Sequence, residues 1–153
     1  MGEKRLVDAR AKGARGENLV KDLLIKHTKL PWVRTPLSGA LDVKYQMKGD
    51  LMLPNSANRF CIEVKNYKES PLSDKIFTSK TNNLILWWEK LKKQSSECNQ
   101  DPLLFFKYDR SKIYVVTDIF PDVVEKYIYI SWLDCYIILA EEWLGKEDVK
   151  WLQ

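Results

Sequence analysis

The chain has one histidine, three cysteines and no apolar run long enough to span a bilayer. A single histidine, His27, lends almost no support to an imidazole-based nucleophile or a zinc centre, which recruit further partners of that kind. His27 falls at the end of a predicted helix, where interaction with the helix C-terminus accounts for it. Cys61, Cys98 and Cys135 are odd in number, widely separated and never in Cys-x-x-Cys spacing. That argues against a disulfide scaffold or structural zinc and fits a reducing cytosol. Cys61 reads as a core-strand residue without chemistry. The charged N-terminus lacks the apolar segment of a signal peptide, so no membrane is expected among the partners. No internal repeat or low-complexity linker is visible. Charge of one sign is also modest: the formal net charge of +4 is compatible with a nucleic-acid partner but too small to establish one.

What is present is a core and a pattern of acids. With 153 residues, 45% of them hydrophobic, and six tryptophans, the chain has the size and apolar content of one compact domain spanning 1–153. From Arg59 to Lys65, Phe60, Ile62 and Val64 alternate with Cys61, Glu63 and Lys65, the period-two pattern of a half-buried strand. Glu63 and Lys65 therefore share a face. Gly49 to Leu53 reads as a partner strand, and Pro54 to Asn58 as the turn that returns the chain antiparallel, which sets Asp50 beside Glu63. Two carboxylates side by side repel each other and favour a divalent cation, and their hard oxygens suit Mg²⁺ or Mn²⁺ better than zinc. A metal there polarises a phosphodiester and acidifies a bound water. Lys65 is placed to position that water or to stabilise charge on the phosphate oxygens. The plainer reading of Glu63 and Lys65 is a surface ion pair worth little to stability.

Glu17 follows Gly13-Ala14-Arg15-Gly16 and precedes Leu19, Val20, Leu23 and Leu24, whose spacing marks the apolar face of a helix ending near His27. A carboxylate bordering that face is costly unless paired or liganded, so Glu17 is a candidate third acid. Equally open is a helix-start glutamate favoured by the macrodipole. Basic residues cluster at Lys4, Arg5, Arg10, Lys12 and Arg15, and again at Arg34, Lys44, Lys48, Lys65 and Lys68. Such clusters suit sequence-independent phosphate contacts. With 30% of residues charged, a solvated surface is the alternative.

Beyond residue 65 the chain reads as scaffold. Leu84, Ile85, Trp87, Trp88 and Leu91 mark a helix over Asn83 to Ser96. Leu103 to Phe106 and Ile113 to Thr117 read as buried strands joined by a polar turn, extending the sheet begun by the hairpin. Tyr127 to Trp132 and Cys135 to Leu139 add strands, and Ala140 to Leu152 a helix. Most of Trp87, Trp88, Trp132, Trp143 and Trp151 are expected in core or edge packing, with a dimer surface or base-stacking platform as the functional alternative.

Gly13-Ala14-Arg15-Gly16-Glu17, Val33 to Gly39, Gly49-Asp50-Leu51 and Ile62-Glu63-Val64-Lys65 resemble the PD-(D/E)xK nuclease superfamily, and in order and spacing the archaeal and viral Holliday junction resolvases. The resemblance covers the first two-fifths to one-half of the chain, with the catalytic motifs in 13–65 and sheet completion, packing helices and a dimer surface in 66–153. It implies an α/β, restriction-endonuclease-like core, a central mixed β-sheet flanked by helices. It assigns Glu17, Asp50, Glu63 and Lys65 to catalytic positions, the three acids to the metal, and Ser38 to a functionally important loop serine. With Arg15, Arg34, Lys48 and Lys68, Ser38 makes up the expected DNA contacts. It further implies Mg²⁺, with Mn²⁺ as a substitute, a homodimer, paired nicks across four-way DNA junctions, and a cytoplasmic setting in a prokaryotic or virus-infected cell. Alternatives within the same fold are a restriction-type or nicking nuclease and an inactive DNA-binding or assembly protein. The chain departs from the pattern in carrying Gly49-Asp50 for the usual Pro-Asp, and in a longer stretch from Ser38 to Asp50 that contains Asp42. The spacing from Asp42 to Glu63 is too long for a simple hairpin, so Asp50 is the assigned acid.

Overall fold

The alternating strand around Glu63 is the axis on which the other elements are arranged. The computed structural model describes residues 2–36 and 48–146, with side chains from residue 8 onward. In chain order the elements are α1 (Gly2–Thr28), β1 (Val33–Arg34), β2 (Leu51–Met52), β3 (Phe60–Tyr67), α2 (Lys75–Thr78), α3 (Asn83–Glu97), β4 (Asp101–Tyr108), β5 (Tyr114–Thr117), β6 (Ile128–Ile130), β7 (Cys135–Leu139) and α4 (Ala140–Lys146). Seven strands form one sheet in the order β1-β2-β3-β4-β5-β7-β6. Only β3 and β4 run parallel, with Glu63 beside Leu104 and Lys65 beside Phe106. A parallel pair needs a crossover, and α3 supplies it. The result is the mixed, helix-flanked sheet that the resemblance implied.

Period-two alternation sends β3 side chains to two separate cores. Phe60 and Ile62 pack with Val20, Leu24, Phe105 and Trp143 under α1 and α4. Cys61 lies with Trp88, Leu91, Leu104, Phe106 and Val116 under α3. Each fully buried side chain of this size contributes roughly 1.5–3 kcal/mol. The Asn82 carboxamide caps α3, its Oδ1 accepting from the Leu84 and Ile85 amides at 2.9 and 3.4 Å. The expected turn between β2 and β3 is closed by Asn58, which accepts from the Leu53 amide at 2.8 Å and donates to the Leu53 carbonyl at 3.0 Å.

Several expectations are corrected. Helix α1 begins at Gly2, so Glu17 lies in mid-helix and the N-terminal macrodipole does not account for it. Leu19 is 46% exposed and leaves the apolar face, because it lies beside Ile113 and Leu139 on the rim of a shallow pocket at the β4–β5 turn. His27 stands in the last turn of α1 as expected, with its Nε2 buried and without a hydrogen-bond partner among the described residues. Of the tryptophans expected mostly in packing, Trp87, Trp88 and Trp143 are buried, Trp132 is 52% exposed, and Trp151 lies outside the described residues. The partner strand contracts to Leu51–Met52, with Gly49 and Asp50 in a bend ahead of it. Among the described residues no helix is long and apolar enough to cross a membrane.

Candidate active site

Asp50 is placed by the backbone before its carboxylate does anything. Gly49 has φ +93°, and a Cβ there would stand 2.6 Å from the Ile62 carbonyl oxygen, so the chain turns flush against β3 only because residue 49 has no side chain. The Asp50 amide then donates to the Ile62 carbonyl at 2.6 Å, and the Thr35 amide donates to the Asp50 carbonyl at 2.9 Å. With β2 diverging at this point, the Val64 amide finds no strand partner on that side and donates instead to Asp50 Oδ2 at 2.8 Å. A backbone amide thus aims the carboxylate along the open edge of β3.

Glu63 and Lys65 project together from β3, the Lys65 Nζ lying 3.4 Å from Glu63 Oε1. Both line a small cleft with Trp87, Lys90, Leu91 and Gln94 of α3. The plainer ion pair and the site are therefore the same contact. Burial pushes the Asp50 carboxyl up to about 7; Glu63 adds to the rise, the Val64 amide works against it, Glu17 raises it further and Lys65 pulls it back. Three acids and one ammonium thus share one electrostatic field, and the adjacent carboxylates of Asp50 and Glu63 are hard oxygens of the kind that suits Mg²⁺ or Mn²⁺.

Glu17 arrives from the opposite layer. Gly16 meets β3 at Asn66, where a Cβ on residue 16 would come within 2.7 Å of the Asn66 Cβ. The Asn66 Nδ2 donates to the Lys12 carbonyl at 3.0 Å, which fastens α1 to the strand. Held there, Glu17 accepts from Arg34 Nη2 at 3.0 Å. Among the described residues, no three His, Cys, Asp or Glu side chains are gathered into a metal-holding group. Arg34 engages Glu17 and Lys65 engages Glu63.

The remaining expected residues divide. Arg34 stands against Glu17, and Lys48 lies 3.5 Å from Glu97 at the end of α3. Both pairs are partly exposed, and pairs of that kind contribute little to stability. Arg15 and Lys68 are exposed. Ser38, Asp42 and Lys44 lie outside the described residues. Sequence reasoning missed the role of Asn66 in seating α1, the pairing of Arg34 with Glu17, and the approach of Lys90 and Gln94 to Glu63. The repeat of Lys90 and Gln94 at helical spacing beside Trp87 and Leu91 was the available signal, since it puts two polar groups at the margin of a buried face.

Residues 8–147 match the model of a family described as "Phage putative PDDEXK endonuclease". Protein D14 of Escherichia phage T5 is 32% identical over 154 residues, an overlap that takes in 94% of this chain and 96% of that protein. No solved structure matches the chain significantly.

Proposed function

The chain belongs to the phage PDDEXK endonuclease family, nucleases that act on DNA and generally use divalent metals, and from that premise we propose that it is a Mg²⁺-dependent, structure-specific endodeoxyribonuclease, a Holliday junction resolvase in type. The observation that carries the reading is the pairing of Asp50 with Glu63 beside Lys65, at the edge where β2 leaves β3. Holding like charges close in a partly buried position disfavours the ionised site and makes sense where a cation relieves it.

Asp50 and Glu63 would hold the cation, with Glu17 as a third donor when released from Arg34, and Mn²⁺ would substitute for Mg²⁺. Bound there, it supplies Lewis acidity toward the phosphodiester and makes a water more acidic. The Val64 amide keeps the Asp50 carboxylate directed at the site. Lys65 donates N–H groups to the attacking water or to the phosphate oxygens as charge builds on them. Arg15, Arg34, Ser38, Lys48 and Lys68 contact phosphates and position the DNA without reading its sequence. The motif order, from Glu17 through the Arg34 to Gly39 stretch to Lys65, is what favours a four-way junction over linear duplex. One domain of 1–153 then carries the chemistry, and a homodimer sets two such sites on a two-fold DNA junction. The cytoplasm of a prokaryotic or virus-infected cell is where that substrate arises.

A panel of four-way junction, flap and linear duplex, incubated with and without Mg²⁺, tests the reading. Junction cleavage should exceed duplex cleavage, need the metal, and vanish in Asp50→Asn and Glu63→Gln while DNA binding persists. Equal cutting of every substrate would remove the junction preference. Metal-independent cutting would remove the mechanism, and binding without any cutting would leave a DNA-binding protein in a nuclease fold.

A further inference from the structure

The exposed large apolar side chains are concentrated at the sheet margin farthest from the site. Strand β6 is the last of the seven and, among the described residues, has a neighbour on one side only. Phe120, Tyr127 and Tyr129 gather against Tyr136 on one face, with ring centroids 5.7, 5.6 and 4.8 Å from it. On the other face Phe77 and Trp132 pack together at 5.2 Å, and Ile128 points to that side, opposite Ile137. These six outer side chains are between 42% and 76% exposed. At roughly 200 Å² for each side chain of this size, they leave on the order of 650 Å² of apolar surface bare. Split between two faces it is ordinary for either one, but together the two groups come close to one partner's share of a standard interface, which an edge-to-edge joint would cover at once.

The charge around this margin narrows the occupant. Residues 118–134 carry Asp118, Asp122, Glu125 and Asp134 against the lone cation Lys126, in a chain that is net basic. Four carboxylates repel phosphates, so a base-stacking platform is disfavoured. An edge strand, by contrast, is its own complement: turned about a two-fold axis, it pairs antiparallel with itself without needing a second kind of surface. Pairing centred on Tyr129 carries Lys126 of one copy toward the Trp132 and Asp134 end of the other, which sets the single cation against aromatic and opposite charge.

We propose that two copies of this chain associate through β6, edge to edge, with the Phe120–Tyr127–Tyr129 and Phe77–Ile128–Trp132 groups closing over the two faces of the joint. The assignment names the surface for the homodimer reading above, on which it rests. Each active site then lies four strand positions from the joint, on opposite sides of it.

Sedimentation velocity at micromolar concentration, with Tyr129→Lys, Trp132→Asp and the control Leu19→Lys, tests it. The wild type and the control should sediment as dimers, and the two edge variants as monomers with self-association weakened roughly 100-fold or more. Far-UV circular dichroism and Mn²⁺ binding should be unchanged in all of them. If an edge variant unfolds, Phe77→Ser, at the most exposed of these side chains, is read in its place and should likewise sediment as a monomer. A monomeric wild type, or a dimer indifferent to the edge substitutions, overturns the proposal. A dimer dissolved by them that neither binds metal nor cuts DNA would uphold the edge and sink the nuclease reading instead.

Discussion

Gly16 and Asn66 meet so closely that a Cβ on the first would stand 2.7 Å from the Cβ of the second, a separation real side chains do not tolerate. This contact sets the height of α1 over β3, and with it the reach of Glu17 toward Asp50 and Glu63. Alanine at residue 16 would gain about 1 kcal/mol of helix propensity, but forcing a Cβ against a strand residue costs about 1–3 kcal/mol. The clash is with a Cβ, not with the free end of a flexible side chain, so the cost should win. Gly16→Ala is expected to lower the melting temperature and reduce single-turnover cleavage by about 10-fold or more, in line with what a small misplacement costs. A variant that melts higher and cleaves like wild type would show that the helix height is immaterial.

Gly49→Pro restores the dipeptide usual in the resembled superfamily and should nonetheless disable this chain. Proline fixes φ near −65°, whereas residue 49 sits at +93° with the Ile62 carbonyl 2.6 Å from where a Cβ would be. Denaturant unfolding is expected to show a loss of about 3 kcal/mol or more, with metal binding abolished. Retained stability and activity would mean that the bend is not required.

The raised Asp50 carboxyl fixes the sign of a pH dependence. Its folded value of about 7 lies above its ordinary 3.8, so between these values the folded chain holds a proton that the unfolded chain has released. Stability without metal should therefore fall as pH rises from about 4 to about 7, by on the order of a few kcal/mol at most, and level off above. A cation competes with that proton, so the stabilisation given by Mg²⁺ or Mn²⁺ should grow as pH rises through about 7. Thermal melts from acidic to mildly alkaline pH, with and without metal, read both trends. Asp50→Asn keeps an oxygen for the Val64 amide and should flatten both; equal slopes in the variant would assign the proton elsewhere.

Arg34→Ala frees Glu17 from its 3.0 Å partner. Mn²⁺ should then bind several-fold more tightly, because an acid near Asp50 is no longer engaged by a guanidinium. Affinity for junction DNA should fall, since a phosphate contact is lost. Counting bound Mn²⁺ by electron paramagnetic resonance separates the two effects. Weaker metal binding in the variant would mean that Arg34 supports the acids instead of competing for one of them.

The sequence made some parts of this molecule readable and hid others for identifiable reasons. Local periodicity exposed β3, α3 and the hairpin, since each depends on neighbours a few positions apart. Val33 to Gly39 and residues 13–65 carried enough spacing to point to the nuclease family. Hidden from view were contacts between distant segments: the Asn66 clasp on Lys12, the Arg34 hold on Glu17, and the outward turn of Trp132. The choice for Glu17 between a third acid and a helix-start glutamate stays open in the sequence, whereas Gly16 marks a close approach inside one continuous helix. An aromatic residue in an edge strand, or in the turn just after it, gives the same local pattern whether it is covered or bare, so Tyr129 and Trp132 could be sorted only by the strand order.

That strand order separates two kinds of demand on the chain. On the proposed reading the acids must keep their places, while the far margin needs only to stay apolar and self-complementary. On the proposed edge-to-edge pairing, rebuilding the Phe77 and Trp132 end would change the distance between the two copies' sites while leaving Asp50, Glu63 and Lys65 untouched.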